Sequence, residues 1–176
     1  MALYLYEVVA GGTDRANTTQ VLKDLDAHVH RAGGELIEAQ ITAQSHRIFA
    51  VAEFQGAPAT LDATTLEATE VSGPDEVRLV GADLESVKAA RPAAGYLVEW
   101  DLPPELDMES YLARKKANAP RYADVPEVSF LRTYVREDMI KCLCFYDAPD
   151  EAAVRRARDA VSTPIDRLHG LDGEQR

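Results

Sequence analysis

The sequence predicts an α+β fold built from two tandem ferredoxin-like (βαββαβ) repeats, packed sheet to sheet as a pseudo-dimeric sandwich or barrel. Three observations predict it. Short segments recur in the same order about ninety positions apart, as duplication requires. They are Tyr4-Leu5-Tyr6-Glu7-Val8 with Tyr96-Leu97-Val98-Glu99-Trp100, Phe54-Gln55-Gly56-Ala57-Pro58 with Phe145-Tyr146-Asp147-Ala148-Pro149, and Val71-Ser72-Gly73-Pro74 with Val161-Ser162-Thr163-Pro164. Each half also reads as strand, helix, strand, strand, helix, strand by its apolar periodicity. A four-stranded sheet with both helices on one side leaves its other face bare, and in tandem copies the other copy is the nearest cover. The boundaries are 1–81 for the first repeat, 82–94 for an Ala-rich linker with Arg91-Pro92, and 95–176 for the second.

In the first repeat, residues 3–9 alternate as a strand. A helix begins near Asn17, whose side chain can cap it, with Gln20 at the capping-box position. Val21, Leu22, Leu25 and Val29 make its apolar stripe, and Gly33-Gly34 supplies a left-handed stop. Strands over 35–42 and 47–55 flank the polar turn Ala43-Gln44-Ser45-His46. Ala57-Pro58 opens a second helix over 60–69, and Glu76 to Val80 closes the unit. In the second repeat, strand 95–101 leads to Asp107, a cap for a helix running to 118, with Pro120 beyond its end. Strands 127–135 and 139–146 turn through Arg136-Glu137-Asp138. Ala148-Pro149-Asp150 starts a helix with Ala153, Val154, Ala157 and Val161 on one face. The last strand runs from Asp166 to Leu171.

Nineteen Lys and Arg stand against thirty Asp and Glu, a formal net charge of −11. Phosphate binding needs clustered cations, so nucleic acid and acidic lipid surfaces are disfavoured partners. The basic runs Arg114-Lys115-Lys116 and Arg155-Arg156 with Arg158 read as solvated helix faces. No stretch is long and apolar enough to span a bilayer, and Met1-Ala2-Leu3-Tyr4-Leu5-Tyr6 lacks the basic start of a secretory leader. Cys142 and Cys144 are two apart on a strand, about 6.5–7 Å at Cα, which is at or beyond the disulfide span. Unbridged thiols fit a reducing compartment, so the expected location is the cytoplasm. The expected partner is a small-molecule ligand. The pseudo-dimer lies within one chain, and a further homodimer is compatible with it.

Cys144-Phe145-Tyr146-Asp147-Ala148-Pro149-Asp150-Glu151, followed by Pro164-Ile165-Asp166-Arg167-Leu168, resembles a bacterial family of small ferredoxin-like domains that includes a nickel-binding, nickel-responsive protein. The resemblance covers residues 95–170. The first repeat keeps Ala57-Pro58 and Pro74-Asp75 but has Glu53 in the place of Cys144. The resemblance implies the fold. The nickel-binding member has histidines near the end of the first strand, in the middle strands and before the late Pro. This chain has Trp100-Asp101, Arg132 and Thr163 at those places, so no metal site is carried over.

The four histidines give no cluster. His28 and His30 diverge on a helix by about 200°, His46 lies in a turn and His169 at the last strand. Alternation places Glu7, Glu53, Glu99, Cys144 and Tyr146 on the faces turned toward the other sheet, with Leu143 and Phe145 toward the helices. Gathered carboxylates beside a Tyr and a Cys can hold their pKa values apart, which suits proton transfer. They also fit strand ends that reach water, and Cys144 fits a small core residue. Arg132, Thr133 and Tyr134 could clamp an anionic substrate, with Arg132 at a strand edge as the plainer account. There is no phosphate loop, HExxH, CxxC or GxSxG. The expected function is therefore a small-molecule enzyme without organic cofactor or metal, of proton-transfer, isomerase or cyclase type. Glu99, Tyr146, Cys144, Glu53 and Glu7 are its catalytic candidates, and Arg132 and Tyr134 its substrate contacts. The alternative is a non-catalytic protein that binds a metal or small ligand.

Overall fold

Alternation along β1 (Ala2–Ala10) organises the first part of the computed structural model, which describes residues 1–12, 14–44, 47–90 and 94–172. Tyr6, Val8 and Ala10 share one face with Ile48, Ala50, Ala52 and Phe54 of β3 (Arg47–Phe54). Against them pack Val21, Leu25 and Val29 of α1 (Arg15–Arg31), the stripe its spacing predicts. The cap of α1 is Asp14 rather than Asn17. Asp14 Oδ1 accepts from the Asn17 amide at 2.7 Å, while Asn17 Oδ1 accepts from the Gly12 amide at 2.9 Å and holds the preceding turn. With β2 (Gly34–Ile41) and β4 (Ala68–Val80), the strands of the first unit run in the order β2-β3-β1-β4, each antiparallel to its neighbour.

The second helix of this unit is much shorter than the predicted 60–69. α2 is a single turn, Ala63–Leu66, and β4 starts at Ala68 instead of Glu76. Thr60, Thr64, Thr65 and Thr69 explain the outcome, because β-branched residues favour strands. Gly73 sits in β4 with φ +103°, and a Cβ there would come within 2.4 Å of the Leu5 carbonyl oxygen. Only glycine fits that approach, at the place where the β1–β4 register shifts. The expected linker is partly helical. α3 (Leu84–Ala90) buries Val87, and from Glu85 it belongs to the first unit. The turn residues Ser45 and His46, and Arg91-Pro92, lie outside the described residues.

Residues 78–84 and 94–171 form the other unit. It contains β5 (Tyr96–Asp101), α4 (Met108–Asn118), a 3-10 helix (Ala119–Asp124), β6 (Ser129–Arg136), β7 (Lys141–Asp147), α5 (Glu151–Ala160) and β8 (Arg167–Gly170). Strand order is β6-β7-β5-β8, again antiparallel. Asp107 caps α4 as expected, and Asp150 caps α5 at the helix start read from Ala148-Pro149-Asp150. The apolar face of α5, Ala153, Val154, Ala157 and Val161, is buried as its spacing predicts. In both units the second strand carries a register shift, between Leu36 and Glu38 and between Phe130 and Arg132.

One predicted orientation is reversed. Val98 pairs directly with Cys144, and Trp100 with Cys142, so these residues share a face. That face packs on the helices, with Tyr146, Tyr111 and Ala153. Leu143 and Phe145 point the other way. The error traces to equating Phe54 with Phe145. Phe54 lies on the helix side of its unit, so its match must fall on the alternate residues of β7, and a one-residue slip turns every side chain over. The match of 71–74 with 161–164 also fails, since the first lies within β4 and the second leaves α5.

Replacing Asp150 with Ala removes the 2.8 Å bond to the Ala153 amide. It is expected to cost about 0.5–2 kcal/mol, read as a lower urea midpoint with unchanged slope.

Candidate functional site

α5 presents an Arg where its apolar stripe continues. Arg158 follows Val154 by one helical turn, so it faces the core, and it is 1% exposed. This corrects the solvated reading for Arg158, while Arg155 and Arg156 are exposed as that reading has them. Its Nη1 donates to Cys144 Sγ at 3.3 Å and to the Tyr146 hydroxyl at 3.1 Å, and its Nη2 donates to the Pro164 carbonyl. No carboxylate among the described residues pairs with it. A buried guanidinium needs a counter-charge, and Cys144 is the group placed to supply one.

The sulfur is well surrounded. Thr133 of β6 donates its hydroxyl at 3.3 Å, Lys115 Nζ of α4 lies at 3.9 Å and Cys142 Sγ at 4.0 Å. The hydrogen bond from Cys142, the charges of Lys115 and Arg158 and the Thr133 hydroxyl hold the Cys144 thiol well below the ordinary range, against the cost of burial. Burial first, then the bond to Cys144 and its charge, push Cys142 the opposite way, so Cys142 keeps its proton. Tyr146 is raised by burial and by the Cys144 charge. Its hydroxyl meets that of Tyr122 at 2.6 Å, and burial takes Tyr122 to about 12.

Two hollows adjoin this cluster. The larger, about 290 Å³, is lined by Val80, Gly81, Leu112, Lys115, Tyr122 and Phe130, among others. The smaller, about 20 Å³, has Trp100, Tyr111, Lys115, Tyr122, Arg158 and Thr163 in its wall. Lys115 and Tyr122 line both. The Lys115 ammonium lies 4.7 Å from the centre of the Phe130 ring, and Tyr122 stacks on the same ring at 5.4 Å. Lys115 therefore turns inward from the basic run that reads as solvated.

Glu99 lies on the opposite face of β5, 3% exposed. It accepts from Lys141 Nζ at 2.7 Å, His169 Nε2 at 2.7 Å and Arg167 Nε at 2.9 Å, and Arg167 also grips Asp101 at 2.5 Å. Burial alone would raise the Glu99 carboxyl, but the bonds from His169, Lys141 and Arg167 outweigh it and hold it at about 2. Glu7 and Glu53 belong to the first unit, beside Arg47 at 3.6 Å and Lys88 at 2.7 Å. Arg132 and Tyr134 both contact the Phe145 ring, at 4.9 and 5.9 Å, on the face away from Cys144. Arg132 is buried rather than at an exposed edge. Of the predicted residues, the structure brings together Cys144 and Tyr146. Arg158, Lys115, Tyr122 and Thr133 complete their surroundings. Helical spacing from Val154 to Arg158 and from Tyr111 to Lys115 was the available signal. Among the described residues, no group of three or more His, Cys, Asp or Glu is arranged to hold a metal ion, and no helix is long and apolar enough to cross a membrane.

Residues 96–170 match the family described as nickel responsive protein SCO4226-like. No curated protein matches the sequence. Among solved structures, the candidate chlorite dismutase TA0507 is similar over 98% of this chain and 95% of its own, with a TM-score of 0.55 and 14% identity. A candidate monooxygenase from Lactobacillus acidophilus NCFM is similar over 97% and 92%, with a TM-score of 0.53 and 10% identity. At such identities the likeness is one of fold.

The Glu99 carboxyl is lowered from 4.5 to about 2, so its contribution is full above pH 4.5 and is lost as pH falls toward 2. Glu99→Gln should remove that acid-side dependence and cost about 3–5 kcal/mol near neutrality, because three donors lose their buried anion. Urea unfolding at several pH values measures both effects.

Proposed function

We propose that the chain binds a small molecule with an apolar body and one anionic group in the larger hollow of its second unit, and acts on it by proton transfer. Lys115 carries this reading. Its ammonium has no carboxylate partner among the described residues, it lies over the Phe130 ring, and it lines the hollow. Val80, Leu112 and Phe130 suit the apolar part of such a ligand, and the ammonium suits its charge. Tyr122 also lines the hollow. A phenol pushed to about 12 keeps its proton at neutral pH and can donate it to a ligand oxygen. The ligand returns that proton to Tyr122 as the isomerised product forms, and the Tyr146 hydroxyl at 2.6 Å holds Tyr122 in place meanwhile. This chemistry is of isomerase or cyclase type and needs no organic cofactor.

In this reading Tyr146 stays a catalytic candidate with Tyr122 beside it, and Cys144 serves as the anion that fixes Arg158. Glu99, Glu53 and Glu7 act as ion-pair anchors, and Arg132 and Tyr134 as packing around Phe145. We also read the two units as copies of one βαββαβ element, a view supported by the matching register shifts in β2 and β6. The free thiols of Cys142 and Cys144 support a reducing, cytoplasmic setting.

The residues do not fit nickel. Where the nickel-binding relative carries histidines, this chain has Trp100 in the helix-side core, the Arg132 guanidinium and Thr163. A fixed cation and an indole are not ligands for that ion. Calorimetric titration of the full chain with nickel is expected to show no stoichiometric sub-micromolar site.

The anilinonaphthalene sulfonate anion has the proposed ligand's shape and charge. It is expected to bind the native chain at one site, and Lys115→Ala is expected to weaken it about tenfold, the value of one charge-assisted contact. Lys23→Ala, on the exposed face of α1, should leave it unchanged. Equal affinities for wild type and Lys115→Ala, with near-UV dichroism intact, would remove Lys115 from the site.

A further inference from the structure

We propose that the Cys144 sulfur is a peroxide-reactive centre, oxidised by a small hydroperoxide to a sulfenic acid. The inference shares Lys115 with the proposed ligand site of the larger hollow but concerns the smaller hollow and a different reacting atom, so the two are tested separately. Three observations converge on it.

The first is the donor set. A sulfur that is to attack peroxide must carry negative charge and be held in one orientation. Cys144 receives the Arg158 Nη1 and Thr133 Oγ1 donors, each at 3.3 Å, with the Lys115 ammonium at 3.9 Å. A thiol buried only as a small core residue needs none of these.

The second is the adjoining hollow. Cys144 is not in its wall, but two residues that touch the sulfur, Arg158 and Lys115, line it, and its volume of about 20 Å³ admits a molecule of a few atoms. One buried polar atom on a lining residue, Arg158 Nε, has no hydrogen-bond partner, whereas the Tyr111 hydroxyl is held by the Cys142 thiol. Buried polar atoms are almost always paired. Hydrogen peroxide offers the acceptor oxygen that this N–H lacks and is small enough to enter.

The third is charge. In the attack the sulfur bonds to one peroxide oxygen and the O–O bond breaks. The sulfur loses two electrons and keeps that oxygen with its hydrogen as S–OH. The other oxygen leaves as hydroxide and takes a proton from water. Negative charge thus passes from the sulfur to the departing oxygen. The Arg158 guanidinium, reaching both the sulfur and the hollow, can follow it, as electrostatic catalysis requires. Cys142, kept protonated 4.0 Å away, leaves Cys144 as the reactive member of the pair.

The test exposes the reduced full chain to stoichiometric hydrogen peroxide and adds dimedone, the sulfenic-acid trap, together with denaturant at timed intervals, so that the trap reaches the buried sulfur, with the labelled peptide identified by mass spectrometry. Labelling is expected at Cys144, at least tenfold faster than at Cys142, and at least tenfold faster with hydrogen peroxide than with bulky cumene hydroperoxide. Cys142→Ser, which keeps a hydroxyl donor and cannot form a disulfide, should retain the Cys144 label. Arg158→Lys, which preserves the charge, should slow labelling about tenfold, and Thr133→Val should slow it several-fold, each with unchanged near-UV dichroism. If Arg158→Lys disturbs the fold, Thr133→Val and the two-peroxide comparison decide the matter. No label after the native chain has met peroxide, label mainly on Cys142, or equal rates with the two peroxides would each overturn the proposal.

Discussion

A guanidinium with almost no access to water dictates the chemistry of the second unit. Arg158 cannot be left bare, since an unpaired buried charge would cost several kcal/mol. Its Nη donors are taken by a sulfur, a phenol and a main-chain carbonyl, and only the sulfur can carry a full negative charge at neutral pH. The pairing fixes β7 against α5. Through the Tyr146 hydroxyl it also reaches the 3-10 helix at Tyr122. Removing Arg158 would leave a buried anion, and removing Cys144 would leave a buried cation, so each is retained by the other.

The other concentrated charge works differently. Glu99 is surrounded by three donors from β7 and β8, and its carboxyl is driven far below neutrality. A group held so firmly ionised is a poor proton carrier near pH 7, because taking up a proton is uphill for it by several units. The same burial that makes a carboxylate look functional can make it a clamp. The number of donors around it decides which.

Much of the architecture was legible in the residues. The stripes on α1 and α5, the cap at Asp107, the helix start at Asp150 and the succession of strands and helices along each half follow from local rules that tertiary contacts did not override. The site was less legible, for a geometric reason. Strand faces alternate with a period of two, so equating Phe54 with Phe145 instead of an alternate residue sent Cys144 and Tyr146 to the wrong side. The basic residues were misread because charge usually marks a solvated face. Arg158 and Lys115 each lie one turn from a buried residue, and that spacing outweighed their charge. The short α2 was missed because Ala57-Pro58 signals a helix start, whereas the threonines that follow resist continuation. His169 reads as isolated along the chain and finds Glu99 only when β5 and β8 pair.

Lys115 lines two hollows of very different size with a single ammonium. Occupants of the two chambers therefore cannot be energetically independent. Any anion that draws the ammonium toward the Phe130 side withdraws positive charge from the sulfur, and any change at the sulfur alters what the larger chamber offers. By linkage the effect is reciprocal: whatever factor one occupant imposes on the binding of the other is returned to it in equal measure.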